Sequence, residues 1–418
     1  MMTIRTAVVS FLVLALVACP GKPKVRTAAV TVTFWHAMGG PLGDALKEMV
    51  SRFEKENPGT SINLVSMGGY SSLSQKLMAA IQVNAPPNMA QMYESWTTQF
   101  HQLGKLVVLD SLVNGPAGFS AEDLADFYAP FLEDNRWDGR LVTMPFNKSV
   151  PVFFYNIEML RAAGYEKFPS SWDEFRVMVR KLTDRSRGIW GTVGGVNEWM
   201  FGCMLRQQGG DFLDEDNRRV LFNSPAGVRA AEFMYELVAK DSSAVFGIGY
   251  DPQNDFLSGK IACIWGTSAS WAFMKDNMTF PVGIARIPTW DRPNVLSFGT
   301  NIGVFRTGTP DQIEACWRFI KWFTSPEQQA EWAVRTSYVP CRRSSLQVPS
   351  YAKMIQEIPG LADELAQLEY VSFEPKTEEW FEGRKVLGEA LERIMRGEKG
   401  AKQALDEAAA EVEKGLRK

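Results

Sequence analysis

Few residues of this 418-residue chain announce chemistry by type and spacing alone, and Cys19 is the first that does. Arg5 precedes an apolar segment from Ala7 to Ala18, interrupted only by Ser10, which ends in Leu16-Val17-Ala18-Cys19. A dozen or so apolar residues is too few for a membrane-spanning helix, which takes roughly 20. Small residues just ahead of a cysteine suit signal-peptidase cleavage and acylation of the newly exposed residue. The expectation is a lipoprotein signal over 1–19 and a flexible tether over 20–29, rich in Pro, Gly, Lys and Arg. The folded body then begins near Val30, on the periplasmic or outer surface of a bacterial membrane. An ordinary secretory signal with an incidental cysteine is the alternative, and it exports the chain equally.

Other chemistries find little support. The only histidines are His36 and His101, and Cys203, Cys263, Cys316 and Cys341 show no C-x-x-C spacing, so neither a metal nor a cofactor is expected. Buried thiols acting as small hydrophobes are favoured over disulfides. The sequence contains no G-x-S-x-G, H-E-x-x-H or phosphate-loop pattern, and no motif nominates the carboxylate pair of a glycosidase. An enzyme is therefore not expected. With 45 Lys plus Arg against 48 Asp plus Glu, and no basic block, nucleic acid is an improbable partner. Thirteen Trp, ten Tyr and 26 Phe suit cores, and suit equally the flat, partly apolar faces of sugars.

The elements that must position such a site follow from periodicity. Val30 to Trp35 alternates as a strand, and Leu42, Ala45, Leu46, Met49, Val50 and Phe53 then fall on one helical face. Ile62 to Val65 and Met89 to Tyr93 repeat the strand, with a helix between them lined by Leu73, Leu77, Ala80 and Ile81. Strand-helix-strand order predicts a parallel α/β sheet whose ligands sit beyond the carboxyl ends of its strands. Trp35-His36, Gly68-Gly69-Tyr70 and Glu94-Ser95-Trp96 occupy such ends. The segment 145–151 is poor in helix formers and reads as a first crossing into another lobe. Ser171 opens a helix there with Glu174 completing a capping box. Strand-like stretches recur at 188–193, 261–265, 282–287 and 295–305, and the chain turns helical after Thr309. The expected division is a first lobe of 30–145 and 288–340 and a second of 146–287 and 341–418, ending in a docking helix that buries Ala404, Leu405, Ala408, Ala409 and Val412.

Several segments together resemble the extracellular solute-binding proteins of ABC sugar importers. They are the opening strand with Trp35-His36, Pro169-Ser170-Ser171-Trp172-Asp173-Glu174, Phe256-Leu257-Ser258-Gly259-Lys260-Ile261-Ala262, and Ser325-Pro326-Glu327. Within that family Phe34 to Gly40, Gln91-Met92-Tyr93-Glu94, and Pro145-Phe146-Asn147 leading to Tyr155-Asn156 are similar to the glycerol-3-phosphate-binding members. The resemblance implies a two-lobed α/β periplasmic-binding-protein fold, hinged around a ligand cleft, that closes on its solute and hands it to a permease and its ATPase subunits. The implied ligand is sn-glycerol 3-phosphate or a glycerophosphodiester; an oligosaccharide or a sulfonated glycosyl glycerol is the alternative.

Carried over by motif, the implied ligand contacts are Tyr70, Glu94, Ser149, Trp199, Ser268 or Ser270, Gly299, Tyr338 and Arg384. Glu94 would accept from ligand hydroxyls, and Arg384 would pair its planar fork with an oxyanion. Three or four residues from Arg384 stand Trp380, Phe381, Leu387 and Gly388, so any structural acid must come from outside its own helix. Tyr70, Tyr338 and the serines would donate to an oxyanion or a sugar hydroxyl, and Trp199 would form an apolar wall able to face a cationic headgroup. Gly299-Thr300-Asn301 and Gly266-Thr267-Ser268-Ala269-Ser270 depart from the family pattern. Lys148 stands where a small polar residue is more familiar, which changes the charge at the cleft.

Overall fold

The structure is a computed structural model that describes residues 30–247 and 251–416; Cys19 and the tether lie outside them. Strand β1 (Val30–His36) buries Val32, Phe34 and His36 on one face, as its alternation requires. Helix α1 (Gly40–Glu56) buries the six predicted apolar residues. Strand β2 (Thr60–Ser66), helix α2 (Tyr70–Gln82), strand β3 (Met89–Met92) and helix α3 (Glu94–Gln102) complete the repeat. β1 lies between β2 and β3 and runs parallel to both, with Val30 opposite Thr60 and Phe34 opposite Met89.

The sheet is not wholly parallel. Its order is β2, β1, β3, Asn301–Val304, Thr143–Pro145, and Asn301–Val304 runs antiparallel to both of its neighbours. A strand returning from the other lobe enters at the carboxyl ends of β1 to β3, so it must run against them. The second lobe centres on Pro151–Asn156, flanked antiparallel by Cys263–Thr267 and Val282–Arg286.

Three local expectations are corrected. Ser171 Oγ does accept from the Glu174 amide at 3.3 Å, but the Glu174 carboxylate accepts from the Ser170 hydroxyl instead of closing a box. In 188–193 only Gly188 is turn: Ile189 and Trp190 form single bridges to Asp184 and Ile261, and the strand itself is Thr192–Gly194, paired in parallel with Ala244–Phe246. The stretch 295–305 is two strands, Val295–Leu296 and Asn301–Val304, because the chain turns at Gly299 with φ +97°. A Cβ there would stand 1.7 Å from the Asn147 carbonyl oxygen, so the position accepts only glycine.

Helices Pro310–Phe323 and Pro326–Thr336 pack on the first lobe, where Phe146 meets Phe323 and Trp332. Glu378–Met395 and Ala401–Leu416 pack together, and the five expected residues of the last helix are buried. Cys203, Cys263, Cys316 and Cys341 are buried and unpaired, and burial pushes each thiol up to about 12. Among the described residues no helix is long and apolar enough to cross a membrane.

Candidate functional site

The three parallel strands deliver their following residues to one edge of the first lobe. Tyr70 opens α2, and Glu94 opens α3, where the helix N-terminus favours a negative charge. Lys148 enters from the crossing segment with 2 % of its surface exposed. Its Nζ donates to Asp134 Oδ2 at 2.9 Å and to Glu94 Oε1 at 3.1 Å. Asn301 Nδ2 donates to the same two oxygens at 3.2 and 2.9 Å. Burial, and then the neighbouring Asp134 charge, push the Glu94 carboxyl up to about 7, against the pull of Lys148. Burial acts on Asp134 in the same sense, but Lys148 and Lys376 outweigh it and hold that carboxyl below its ordinary range. Asp134 therefore keeps its charge while Glu94 titrates near neutrality.

A second polar group lies beside this one. Asn147 Nδ2 donates to Tyr70 Oη at 3.1 Å, and Asn147 Oδ1 accepts from Gln91 Nε2 at 3.2 Å and from the Thr300 amide at 3.1 Å. Tyr338 lies beside Tyr70 and Asn147, and its ring stacks on Trp332 at 5.9 Å and 9°. Burial raises the pKa of Tyr70 and of Tyr338, so both keep their hydroxyl protons.

The second lobe answers with aromatic rings and a cation. Trp199, in the first turn of Glu198–Gln207, stands 5.0 Å from Phe298, which stands 5.9 Å from Trp265. The Arg384 guanidinium lies 4.7 Å over Trp199 and 5.7 Å over Phe381. Arg384 Nη1 donates to Glu374 Oε2 at 2.7 Å, and Trp380 Nε1 donates to Glu374 Oε1 at 3.0 Å. The partner absent from its own helix thus comes from the segment just ahead. Burial lowers the Arg384 pKa, but Glu374 and Tyr93 more than compensate, and the group stays cationic. Tyr93, Glu94 and Arg384 line one small recess, so groups from both lobes meet there.

The same segment fastens the lobes. Lys376 Nζ donates to the Glu133 and Arg136 carbonyls at 2.9 and 3.2 Å, and Gln99 Nε2 donates to Glu378 Oε1 at 2.6 Å.

The remaining sequence-selected residues divide. Ser149 is 3 % exposed, and its backbone exchanges hydrogen bonds with Phe298 at 2.8 and 3.0 Å. Ser268 is 1 % exposed, and its Oγ accepts from the Val150 amide at 3.4 Å. Ser270 is only half-buried; its Oγ accepts from the Thr267 amide at 3.3 Å and lines a cavity. Gly299 contributes its turn rather than a side chain. Asp134, Glu374 and Lys376 escaped sequence reasoning because no motif surrounds them. Among the described residues no cluster of His, Cys, Asp or Glu is placed to hold a metal ion.

Residues 48–360 match the model of the bacterial extracellular solute-binding protein family. The chain belongs to that family. It is 25 % identical over 412 residues to the sn-glycerol-3-phosphate-binding periplasmic protein UgpB of Pectobacterium atrosepticum, covering 93 % of this chain and 91 % of that protein. The UgpB of Escherichia coli K12 is 26 % identical over 411 residues, at 93 and 92 % coverage. Among solved structures, UgpB from Mycobacterium tuberculosis in complex with glycerophosphocholine superposes with a TM-score of 0.83 at 22 % identity, covering 93 % of this chain and 99 % of that one. The cyclic alpha-maltosyl-1,6-maltose binding protein from Arthrobacter globiformis gives 0.81 at 23 % identity, with the same coverage. The two-lobed α/β binding-protein fold is thereby shown, and the members of this family are non-catalytic. The chain is an extracytoplasmic solute-binding protein of the kind that serves ABC import systems.

Proposed function

We propose that the ligand is sn-glycerol 3-phosphate or a glycerophosphodiester, gripped between the lobes and delivered to the permease and its ATPase subunits. The observation that carries the reading is the recess where a carboxyl from the first lobe, Glu94, and a half-buried cation from the second, Arg384, meet beside Tyr93. A polyol phosphate has one end for each: hydroxyls for Glu94 and an oxyanion for Arg384. Both Lys148 and Asn301 reach Glu94 through Oε1, so Oε2 is the oxygen offered to ligand hydroxyls. Tyr70 and Tyr338 add protonated hydroxyls, Trp199 and Phe298 form the apolar wall, and Ser270 donates from the second lobe. In this assignment Ser149, Ser268 and Gly299 act through the backbone geometry they fix.

Binding draws the lobes together only to the extent that the ligand prefers the closed form, which requires contacts from both halves. The first crossing lies in 145–151. The second falls near Gly299 rather than at 287/288, because Thr289, Trp290 and Arg292 still bond Ser170, Gln207 and Arg206 of the second lobe. The third follows Arg342 and Arg343 rather than 340/341, because those residues still bond Asp123 and Asp126 of the first lobe. Acylation of Cys19 would hold the protein at the membrane beside its permease.

A neutral oligosaccharide is the second reading, favoured by the pairing of Arg384 with Glu374, which already balances the cation. Calorimetry with glycerol 3-phosphate, glycerophosphocholine and disaccharides separates the two. Tighter binding of the phosphate-bearing compounds supports the first reading, and tighter binding of a disaccharide overturns it.

A further inference from the structure

Near the Trp199 wall the second lobe holds a half-open cavity of about 350 Å³ that shares no lining residue with the polar recess. Its deep walls are Trp172, Phe175, Met200, Met204 and Met234. All five are buried in the lobe's core. Of its polar lining, Asn197, Gln253, Thr267 and Ser270 are half-buried, so most of the hydrophilic lining is at the end nearer solvent, while Thr192 is buried and its Oγ1 has no hydrogen-bond partner. Trp265 also lines the cavity, and through Phe298 it stands one ring away from Trp199. The chamber is thus a side branch of the cleft wall, apolar at depth apart from the Thr192 hydroxyl and hydrogen-bonding at its entrance.

A well-packed interior leaves few voids larger than a water molecule, and an engineered cavity of about 150 Å³ already takes up benzene. Taking the roughly 30 Å³ that a water molecule occupies in the liquid as the size of one chain carbon, this chamber holds an unbranched chain of about ten carbons. Three of the five deep walls are methionine side chains, which are unbranched and polarizable and re-pack around guests of different shape. A sugar ring would strand its hydroxyls among them without partners, at a cost for each.

From this we infer that the second lobe accepts the hydrocarbon chain of a single-chain amphiphile, whose hydroxyl-bearing head lies at Ser270 and extends toward the cleft. The inference rests on the proposed recognition of a glycerol phosphate head and adds an acyl or alkyl tail to it. The substrate class then includes monoacyl or monoalkyl glycerol phosphates alongside the bare head.

The test uses sn-glycerol 3-phosphate, its 1-O-alkyl ethers from ethyl to dodecyl, and the matching n-alkanols, all below their micelle concentrations. Affinity is read by calorimetry, and chamber occupancy by carbon-13 methyl signals of Met200, Met204 and Met234. Affinity of the ethers should rise up to about fourfold per methylene and level off near ten carbons. The three methionine signals should shift with the ethers and with n-octanol, and should not shift with glycerol 3-phosphate. Met200→Phe should bring the plateau to shorter chains without weakening the bare head, and Met204→Ala should carry it to longer ones. Should either variant fail to fold, the native protein's chain-length series still decides. A flat series with unmoved methionine signals overturns the chamber while leaving head recognition intact. Octanol-induced shifts in a protein that ignores glycerol 3-phosphate uphold the chamber and overturn the head.

Discussion

The two faces of the cleft are built on opposite plans. On the first lobe, Glu94, Asp134, Lys148 and Asn301 hold their charges and amides against one another before any ligand arrives. On the second, Trp199, Phe298 and Trp265 present ring faces, and a single cation, Arg384, rests on one of them. Such a polar network fixes orientation, because its members hold one another in place, although Asp134 Oδ1 and Asn301 Oδ1 are buried without a hydrogen-bond partner. An aromatic wall accepts many shapes and leaves selection to the charge beside it. The first lobe thus acts as a template and the second as an adjustable jaw.

The strongest way to break the comparison is Lys148→Met. It leaves two buried carboxyls without their shared cation, and chemical denaturation should report a loss of about 3–5 kcal/mol. Adding Glu94→Gln should recover part of that loss. A Lys148→Met variant as stable as the native protein would mean that the network does not hold the first lobe.

Arg384→Ala tests the jaw. Loss of a charge-assisted bond worth about 1.5–3 kcal/mol lowers affinity for phosphate-bearing ligands roughly 10- to 100-fold. Neutral sugars should lose much less. Equal losses for both would remove Arg384 from the oxyanion role.

The pH dependence sharpens the contrast within the template itself. Glu94 has its pKa raised to about 7 in the folded protein, so its contribution to stability is complete below the ordinary carboxyl range and fades as pH rises through about 7. Asp134 is shifted the other way, and its contribution fades on acidification. Urea midpoints measured between pH 5 and 8 should decline with pH more steeply in the native protein than in Glu94→Gln. Parallel slopes would show that Glu94 does not titrate in that window.

The smallest expected difference separates two serines. Ser270→Ala should weaken ligand binding by about 0.5–1.5 kcal/mol, whereas Ser268→Ala should lower stability by a similar amount and leave affinity unchanged. The reverse pattern in titration and melting experiments would exchange their roles.

How far the sequence carried this account differs between the same two regions. Periodicity located β1 to β3 and the two helices between them within a few residues, because each has one buried face, but it did not locate α3. As the strand ends imply, Tyr70 and Glu94 follow β2 and β3 and open α2 and α3. Reading 295–305 as a single strand failed at Gly299, where the need for positive φ arises from the approach of Asn147, some 150 positions earlier in the chain. The parallel sheet failed at Asn301–Val304, whose direction depends on which lobe the chain returns from. Asp134 and Glu374 were illegible for the same reason: their partners, Lys148 and Arg384, are 14 and 10 residues away, outside any helical or strand period. Lys148 was legible only as a departure from the family pattern, and its burial between two carboxyls accounts for that departure.

Calorimetric titration of the native protein with glycerol 3-phosphate, glycerophosphocholine and maltose bears most directly on a cleft that pairs a hydroxyl-reading carboxyl with an oxyanion-reading cation. The account predicts that at least one phosphate compound binds tenfold or more tightly than maltose. Maltose binding more tightly than both would contradict it.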